Sequence, residues 1–439
     1  MRPATRLAKE QAIVILFFVF SSFLFCSVEP SLAGVPFLED LFQKADARLT
    51  EKFAEYGDKD EQYNLGCMLY NGEGVPQDYK KAAEWFHKAA EQGGIEAQKM
   101  LGFMYYNGEG IPRDYSKAAE WSHKAAVQGN REAQRLLGVI YFNGKGVPQN
   151  YEKAVEWYQK AVAKGDKFAP FLLGKMYVDG LGVSKDLKKG AELIQESATN
   201  GFAAAQSALG EMYFNGDGVP LDFQKSDEWY KKAAQSYLKE AEQGDSVAQY
   251  ILGHLYKNGT GVPKDYKKAA EWYHKAAMQG DSDAQADLGY QYVNGEGVQK
   301  DNKKAFEWYQ QSAEQGNPRG QYFLGHLYYD GVGVTRDYKK AAEWFQKAAM
   351  EGDSDAQYDM GFIYHEGKGV QQDYAEAVTW YRKAAAQGNS NAQYNLGSMF
   401  YNGEGVPKDH KMAAEWFQKA ADQGHTKAQE VLDDHEFFP

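Results

Sequence analysis

Cysteine is nearly absent from this 439-residue chain: there are two, Cys26 and Cys67. A disulfide framework is therefore excluded as its source of stability. Blocks of lysine or arginine are missing too, and the formal net charge is −12. An acidic chain without a basic run has no electrostatic footprint for nucleic acid. Histidine is sparse, with nine residues scattered along the chain. His254 and His326 share one slot of a repeating pattern but lie two repeats apart, roughly 20 Å at 8–10 Å per packed helix. That is too far to share a metal bound near 2 Å.

Glycine, by contrast, is abundant and regular. The stretch "YNGEGVPQDY", residues 70–79, holds a Gly-x-Gly pair at Gly72/Gly74, and nine more pairs follow, from Gly108/Gly110 to Gly403/Gly405. The step is 36 residues throughout, except between Gly216 and Gly259, where it is 43. A fixed period of that size marks a stacked-repeat architecture. The residue between the glycines reads Glu, Glu, Lys, Leu, Asp, Thr, Glu, Val, Lys, Glu down the ten copies. A phosphate or calcium site needs a fixed ligand charge, so these loops are turns whose glycines supply positive φ.

Each repeat reads as two helices. In the seventh, helix A runs from an N-cap at Asp281 to a C-cap at Gly295, and in the eighth Asn317 caps a helix that opens on Pro318. Helix B follows an Asp or Asn cap, Asp78 in the first repeat, and ends at a second glycine, Gly93. Its residues Ala82, Trp85, Phe86, Ala89 and Ala90 recur at the spacing of one buried face. All nine tryptophans occupy the Trp85 slot, which predicts that they form the core. The seven extra residues in "WYKKAAQSYLKEAEQGD" predict a longer helix B rather than a loop, with the apolar face kept in phase through Ala233, Ala234, Tyr237 and Ala241. Seven residues turn a helix by about 700°, some 20° short of two full turns.

The repeats resemble the Sel-1-like family, relatives of the tetratricopeptide repeat. "AQYNLGSMFYNGEGVPKDHKMAAEWFQKAADQG", residues 392–424, carries Ala-Gln, Leu-Gly, an aromatic three after that glycine, Gly-x-Gly-Val and Lys-x-Ala-Ala-x-Trp. The resemblance runs from about residue 58 to about residue 432. It implies an all-α, right-handed α/α superhelical solenoid of ten helix-turn-helix repeats that binds other proteins, in bacteria often at the envelope. The fourth repeat departs from the pattern, with Leu193 for tryptophan and with Pro170 and Ser184.

The termini add an address and two covers. A basic start, an apolar stretch at residues 12–25 and Ser31-Leu32-Ala33 form an export leader, residues 1–33. Periplasmic or secreted location is expected, with membrane attachment only if the leader stays uncleaved. Arg2, Arg6 and Lys9 exceed Glu10 and Glu29 by one, so residues 34–439 carry −13. Cleavage leaves Cys67 alone. Residues 34–57, ending "KFAEYG", form an N-terminal capping helix, residues 58–423 hold the repeats, and residues 424–439 form a C-terminal capping segment.

No catalytic, cofactor-binding or metal-binding residues are identified. Ser236 and Lys239 form a Ser-x-x-Lys pattern, but its companion motifs are absent. Some cysteine-rich members of the family are described as β-lactamases or penicillin binders, so a hydrolase is the alternative function. Those members carry a cysteine pair per repeat, which this chain lacks. Function is expected on a surface instead. With the Leu of Leu-Gly as zero, positions −2, +2 and +5 of helix A vary among the repeats and point away from the packed side. They hold Tyr63, Tyr70, Phe103, Tyr106, Tyr322, His326, Tyr329, Tyr358, Phe362, His365, Tyr394 and Tyr401. The corresponding positions of tetratricopeptide relatives line a concave groove. An exposed aromatic stripe there is expected to bind a protein or peptide partner, with the chain itself a monomer.

Overall fold

The computed structural model describes residues 47–434. The expected leader, residues 34–46 of the expected N-terminal cap and residues 435–439 lie outside the described residues. The chain divides between Asp166 and Lys167 into two compact units. The first holds α1 (47–55), α2 (Lys59–Asn71), α3 (Tyr79–Glu91), α4 (Ile95–Asn107), α5 (Tyr115–Val127), α6 (Arg131–Asn143) and α7 (Tyr151–Ala163). The second opens with α8 (Ala169–Asp179), α9 (Leu187–Thr199), α10 (Ala203–Asn215), α11 (Phe223–Glu242), α12 (Ser246–Asn258), α13 (Tyr266–Met278) and α14 (Ser282–Asn294). It continues through α15 (Asn302–Glu314), α16 (Pro318–Asp330), α17 (Tyr338–Met350), α18 (Ser354–Glu366), α19 (Tyr374–Ala386), α20 (Ser390–Asn402), α21 (His410–Ala421) and α22 (Thr426–Asp433). No strand occurs among the described residues.

Local chemistry sets these boundaries. All ten B helices start at an Asp or Asn whose side chain accepts from a backbone N–H in the first turn. Each such cap is worth about 1 kcal/mol. Seven A helices are capped in the same way, whereas Gly94, Phe168 and Phe202 offer no side-chain bond. The Gly-x-Gly loop does two jobs. Its first glycine ends helix A in the left-handed region, as at Gly72 with φ 77°. Its second, as at Gly110, leaves no room for a Cβ because the carbonyl of Tyr79 in the preceding repeat abuts it.

The core lies between helices A and B and between consecutive repeats. Around α3 it comprises Leu65, Leu69, Ala82, Ala83, Phe86, Ala89, Ala90, Leu101 and Met104. Gly66 of Leu-Gly explains that signature: a Cβ there would lie 2.6 Å from the Phe86 ring. The tryptophan expectation needs correction. Trp121, Trp157 and Trp380 are buried, but the other six are half-buried. The next residue is the true core aromatic, with Phe86, Tyr273, Tyr309, Phe345 and Tyr381 among the largest fully buried side chains. The tryptophan ring sits at the seam between repeats, as where Trp121 meets His87 edge-on at 5.4 Å. Its outer face carries the lysine three residues on, Lys88 over Trp85 at 3.6 Å.

The buried glutamine of Ala-Gln is a clip the sequence reading did not interpret. Gln98 donates from Nε2 to the Ala90 carbonyl at the end of the preceding B helix (3.1 Å), and its Oε1 accepts from Gln128 at the end of its own B helix (2.8 Å). Helix α1 occupies the place of a preceding B helix, since its Ala54 carbonyl accepts from Gln62 at 3.2 Å. In the fifth repeat Ser236 stands in for the second glutamine and donates to Gln206 at 2.9 Å.

The long helix is as expected. α11 is continuous for 20 residues and buries Ala233, Ala234, Tyr237 and Ala241. Gly210 of its own repeat packs on the Tyr230 ring, and Gly261 of the next repeat packs on the Tyr230 carbonyl. At Gly110, Gly146, Gly218, Gly297, Gly333, Gly369 and Gly405 that carbonyl belongs to the first residue of helix B, so the repeat after α11 docks one heptad further along. In the fourth repeat α8 has 11 residues instead of 13 and Pro170 replaces the clip glutamine. Phe202 packs edge-on against Phe168 and Phe171, at 5.0 and 5.3 Å.

Candidate functional site

The twelve aromatic and histidine candidates fall on the A-helix face, and all twelve are half-buried rather than exposed. The cause is packing against helix B. Residues at −2 lean on the core aromatic, as Tyr63 on Phe86 (5.7 Å), Tyr322 on Phe345 (6.0 Å), Tyr358 on Tyr381 (5.8 Å) and Tyr394 on Phe417 (5.5 Å). Residues at +5 meet the first residue of helix B edge-on: Tyr70 on Tyr79, Tyr106 on Tyr115, Tyr329 on Tyr338, His365 on Tyr374 and Tyr401 on His410. At +2, Phe103 packs on the core around Ile140, and Phe362 lies under the Lys368 ammonium at 5.0 Å. These rings are thus held by packing within and between repeats.

The residue between the loop glycines also reaches this face. Tyr70 donates to Glu109 (2.6 Å), Lys368 donates to Tyr329 (2.8 Å), and His365 meets Glu404 (3.2 Å). Each link joins position +5 of one repeat to the loop of the next. In these three loops the residue that varies from copy to copy is matched to +5 of the preceding repeat.

Two open clefts lie on the face. The first, about 820 Å³, is lined by Tyr63, Lys99, Asn130 and Arg131 among others. Lys99 is largely buried there and bridges Glu96 (2.7 Å) and Glu132 (3.3 Å). The second, about 440 Å³, is lined by Tyr358, Tyr394, Asn391, Asn395, Gln423 and His425, with the Tyr394 and His425 rings stacked at 4.7 Å. Tyr322, Tyr329 and Tyr401 lie outside both linings.

A buried polar cluster was not foreseen. Asp287 is fully buried at the α14 face and meets Lys257 (3.2 Å), Arg319 (3.2 Å) and His254 (3.4 Å). Burial works to raise its carboxyl, but hydrogen bonds from His254 and Arg319 and the Arg319 and Lys257 charges outweigh it and hold the group well below the usual range. Among the described residues no group of three or more His, Cys, Asp or Glu could hold a metal. Burial pushes the Cys67 thiol up, away from the reactive thiolate. Ser236 is engaged with Gln206, and Lys239 points outward as an exposed side chain. No described helix is long and apolar enough to cross a membrane.

Stacked two-helix repeats with a tyrosine-lined A face define a helical solenoid, a fold typically used for protein–protein interaction. The Sel1 repeat model matches residues 62–94, 95–130, 131–166, 169–202, 203–237, 246–281, 282–317, 318–353, 354–389 and 390–425. The chain belongs to the Sel1-repeat proteins. It is 36% identical to c5321, a protective antigen present in uropathogenic Escherichia coli strains and displaying an SLR fold, over 88% of this chain and 90% of that one, with TM-score 0.50. It is 32% identical to a Sel1 repeat protein from Oxalobacter formigenes, over 80% of this chain and 89% of that one, again with TM-score 0.50. No curated protein matches the chain.

Proposed function

We propose that this chain is a non-catalytic scaffold of the bacterial envelope that holds a peptide or protein partner along its A-helix face. The cleft at Tyr358 and Tyr394 carries the reading. It combines two half-buried aromatic rings with the uncharged Asn391, Asn395 and Gln423, a pairing of large rigid contact area and adaptable hydrogen bonding suited to peptide recognition. Tyrosines already held by helix B lose little conformational freedom when a partner arrives. The leader-like N-terminus supports export, as does the description of the similar E. coli protein as a protective antigen. No observation favours the hydrolase alternative.

The test pairs two triple variants in a capture assay on the envelope fraction, each first shown to be folded. Tyr322/Tyr358/Tyr394→Ala should lose the partner, since truncating central tyrosines typically costs about 2 kcal/mol or more of binding. Lys340/Glu343/Lys347→Ala, on the exposed side of α17, should keep it, because exposed charges contribute little. The reverse outcome would move recognition to the B-helix side. Fractionation that finds the protein in the cytoplasm would remove the envelope assignment.

A further inference from the structure

Asp287 and Asp359 occupy the same slot two repeats apart, one residue before Leu288 of α14 and Met360 of α18. Their frameworks coincide. Each carboxylate pairs with a histidine of the preceding repeat, His254 at 3.4 Å and His326 at 3.0 Å. Each histidine stands edge-on to the tyrosine four residues before it, Tyr250 or Tyr322, in both cases at 4.6 Å. One turn before each aspartate a second carboxylate accepts from an N-cap asparagine: Asp283 from Asn317 (2.7 Å) and Asp355 from Asn389 (2.9 Å).

The two copies differ in their cations. Lys257 and Arg319 hold Asp287, but the corresponding positions of the second copy are Tyr329 and Asn391. Among the described residues no lysine or arginine pairs with Asp359. Its side chain is 17% exposed against 1% for Asp287, and Asp355 is exposed. Partial desolvation first, and then the adjacent Asp353 and Asp359 charges, hold the Asp355 carboxyl above its ordinary value against the opposing Asn389 hydrogen bond and His326. At Asp287 the protein displays what fits such a frame. Arg319 directs Nη1 to Oδ2 (3.3 Å) and Nη2 to Oδ1 (3.2 Å), one planar fork across one carboxylate.

We propose that Asp359 and Asp355, with Tyr322 and His326 beside them, form a socket for an arginine side chain of the partner. It does in trans what Arg319 does internally two repeats earlier. The proposal rests on the A-helix face being the partner groove. Arginine suits it better than lysine because the fork engages both oxygens of Asp359 and the guanidinium plane stacks on a tyrosine ring.

The experiment selects random capped peptides on the immobilised full chain and resynthesises the binders with arginine replaced by citrulline or lysine. Citrulline keeps the shape and removes the charge. It should weaken binding to the wild type by about tenfold or more, and lysine should weaken it severalfold. The citrulline effect should vanish in Asp359→Asn. It should also vanish in Asn391→Arg, which supplies a built-in guanidinium where Arg319 stands and leaves Asp359 in place, so the test survives misfolding of the first variant. Binders that need Tyr322, Tyr358 and Tyr394 yet tolerate citrulline would overturn the socket and leave the groove reading intact. Binders that accept lysine equally would overturn the arginine assignment. Binders that also ignore alanine at Tyr322, Tyr358 and Tyr394, or a selection that yields none, would overturn the groove reading and the socket with it.

Discussion

At the slot three residues after the leucine of Leu-Gly, nine repeats carry Met, Ile or Leu and the seventh carries Gln291. Gln291 is fully buried, and neither its Nε2 nor its Oε1 has a hydrogen-bond partner. An orphaned buried amide costs roughly 1–3 kcal/mol, so Gln291→Met should raise the unfolding midpoint in a denaturant titration. The tryptophan slot yields a second prediction at this scale. Trp272 is half-buried and Tyr273 fully buried. Tyr273→Ala should cost about 3–5 kcal/mol and Trp272→Ala distinctly less, as measured by the same unfolding experiment. A third concerns pH. The Asp287 carboxyl is held below its ordinary value, burial being outweighed by the hydrogen bonds and charges of His254, Arg319 and Lys257. Its stabilisation is therefore complete above the unfolded value near pH 4 and is lost as pH falls through the lower folded value. Asp287→Asn should cost roughly 1–3 kcal/mol at pH 7. That difference should shrink below pH 4, which unfolding measured from pH 7 to pH 2 would follow.

At the scale of the element, α11 shows that an insertion can be silent if it respects the helical period. Removing residues 234–240 leaves Trp229-Tyr-Lys-Lys-Ala233 joined to Ala241-Glu-Gln-Gly244, which has the spacing of the other B helices. That deletion turns the helix by about 700° and should keep a single cooperative melt. Removing residues 236–240 instead turns it by about 500°, leaving the downstream face roughly 140° out of phase. Circular dichroism should show this second variant melting well below the first. The difference isolates phase from length, because the milder deletion in residue count is the more damaging one.

Across the whole molecule, stability is shared out by neighbours. Within each unit a helix packs on the next in sequence, and A helices of successive repeats touch directly at α4 and α6, α14 and α16, and α18 and α20. Leu101, buried in the core around α3, contacts its own and the preceding repeat. Leu101→Ala should cost about 2–5 kcal/mol, and its effect should begin locally. Hydrogen exchange read by peptide should accelerate within residues 47–166 before residues 167–434. Uniform acceleration along the chain would contradict nearest-neighbour coupling.

The repeat number, both helices of each repeat, the caps at Asp78 and Asp281 and the continuity of α11 were all readable in the residues. Each depends on contacts within a few turns of chain: an N-cap bond spans three residues, and a left-handed glycine is a property of one. The A-helix face was located by the same periodicity. Its state of exposure was not. Helical phase tells which way Tyr322 points, but whether Phe345 covers half of its ring depends on how closely two helices approach. The same limit misplaced the tryptophans, because the Trp85 and Phe86 slots differ by 100° on one helix and only the position of the adjoining A helix decides which is inside. Asp287, Lys257 and Arg319 come from three repeats, and no local pattern joins them. Their meeting, and the contrast with Asp359, is a product of stacking, since a carboxylate's partners are chosen by distance in space and not by distance along the chain.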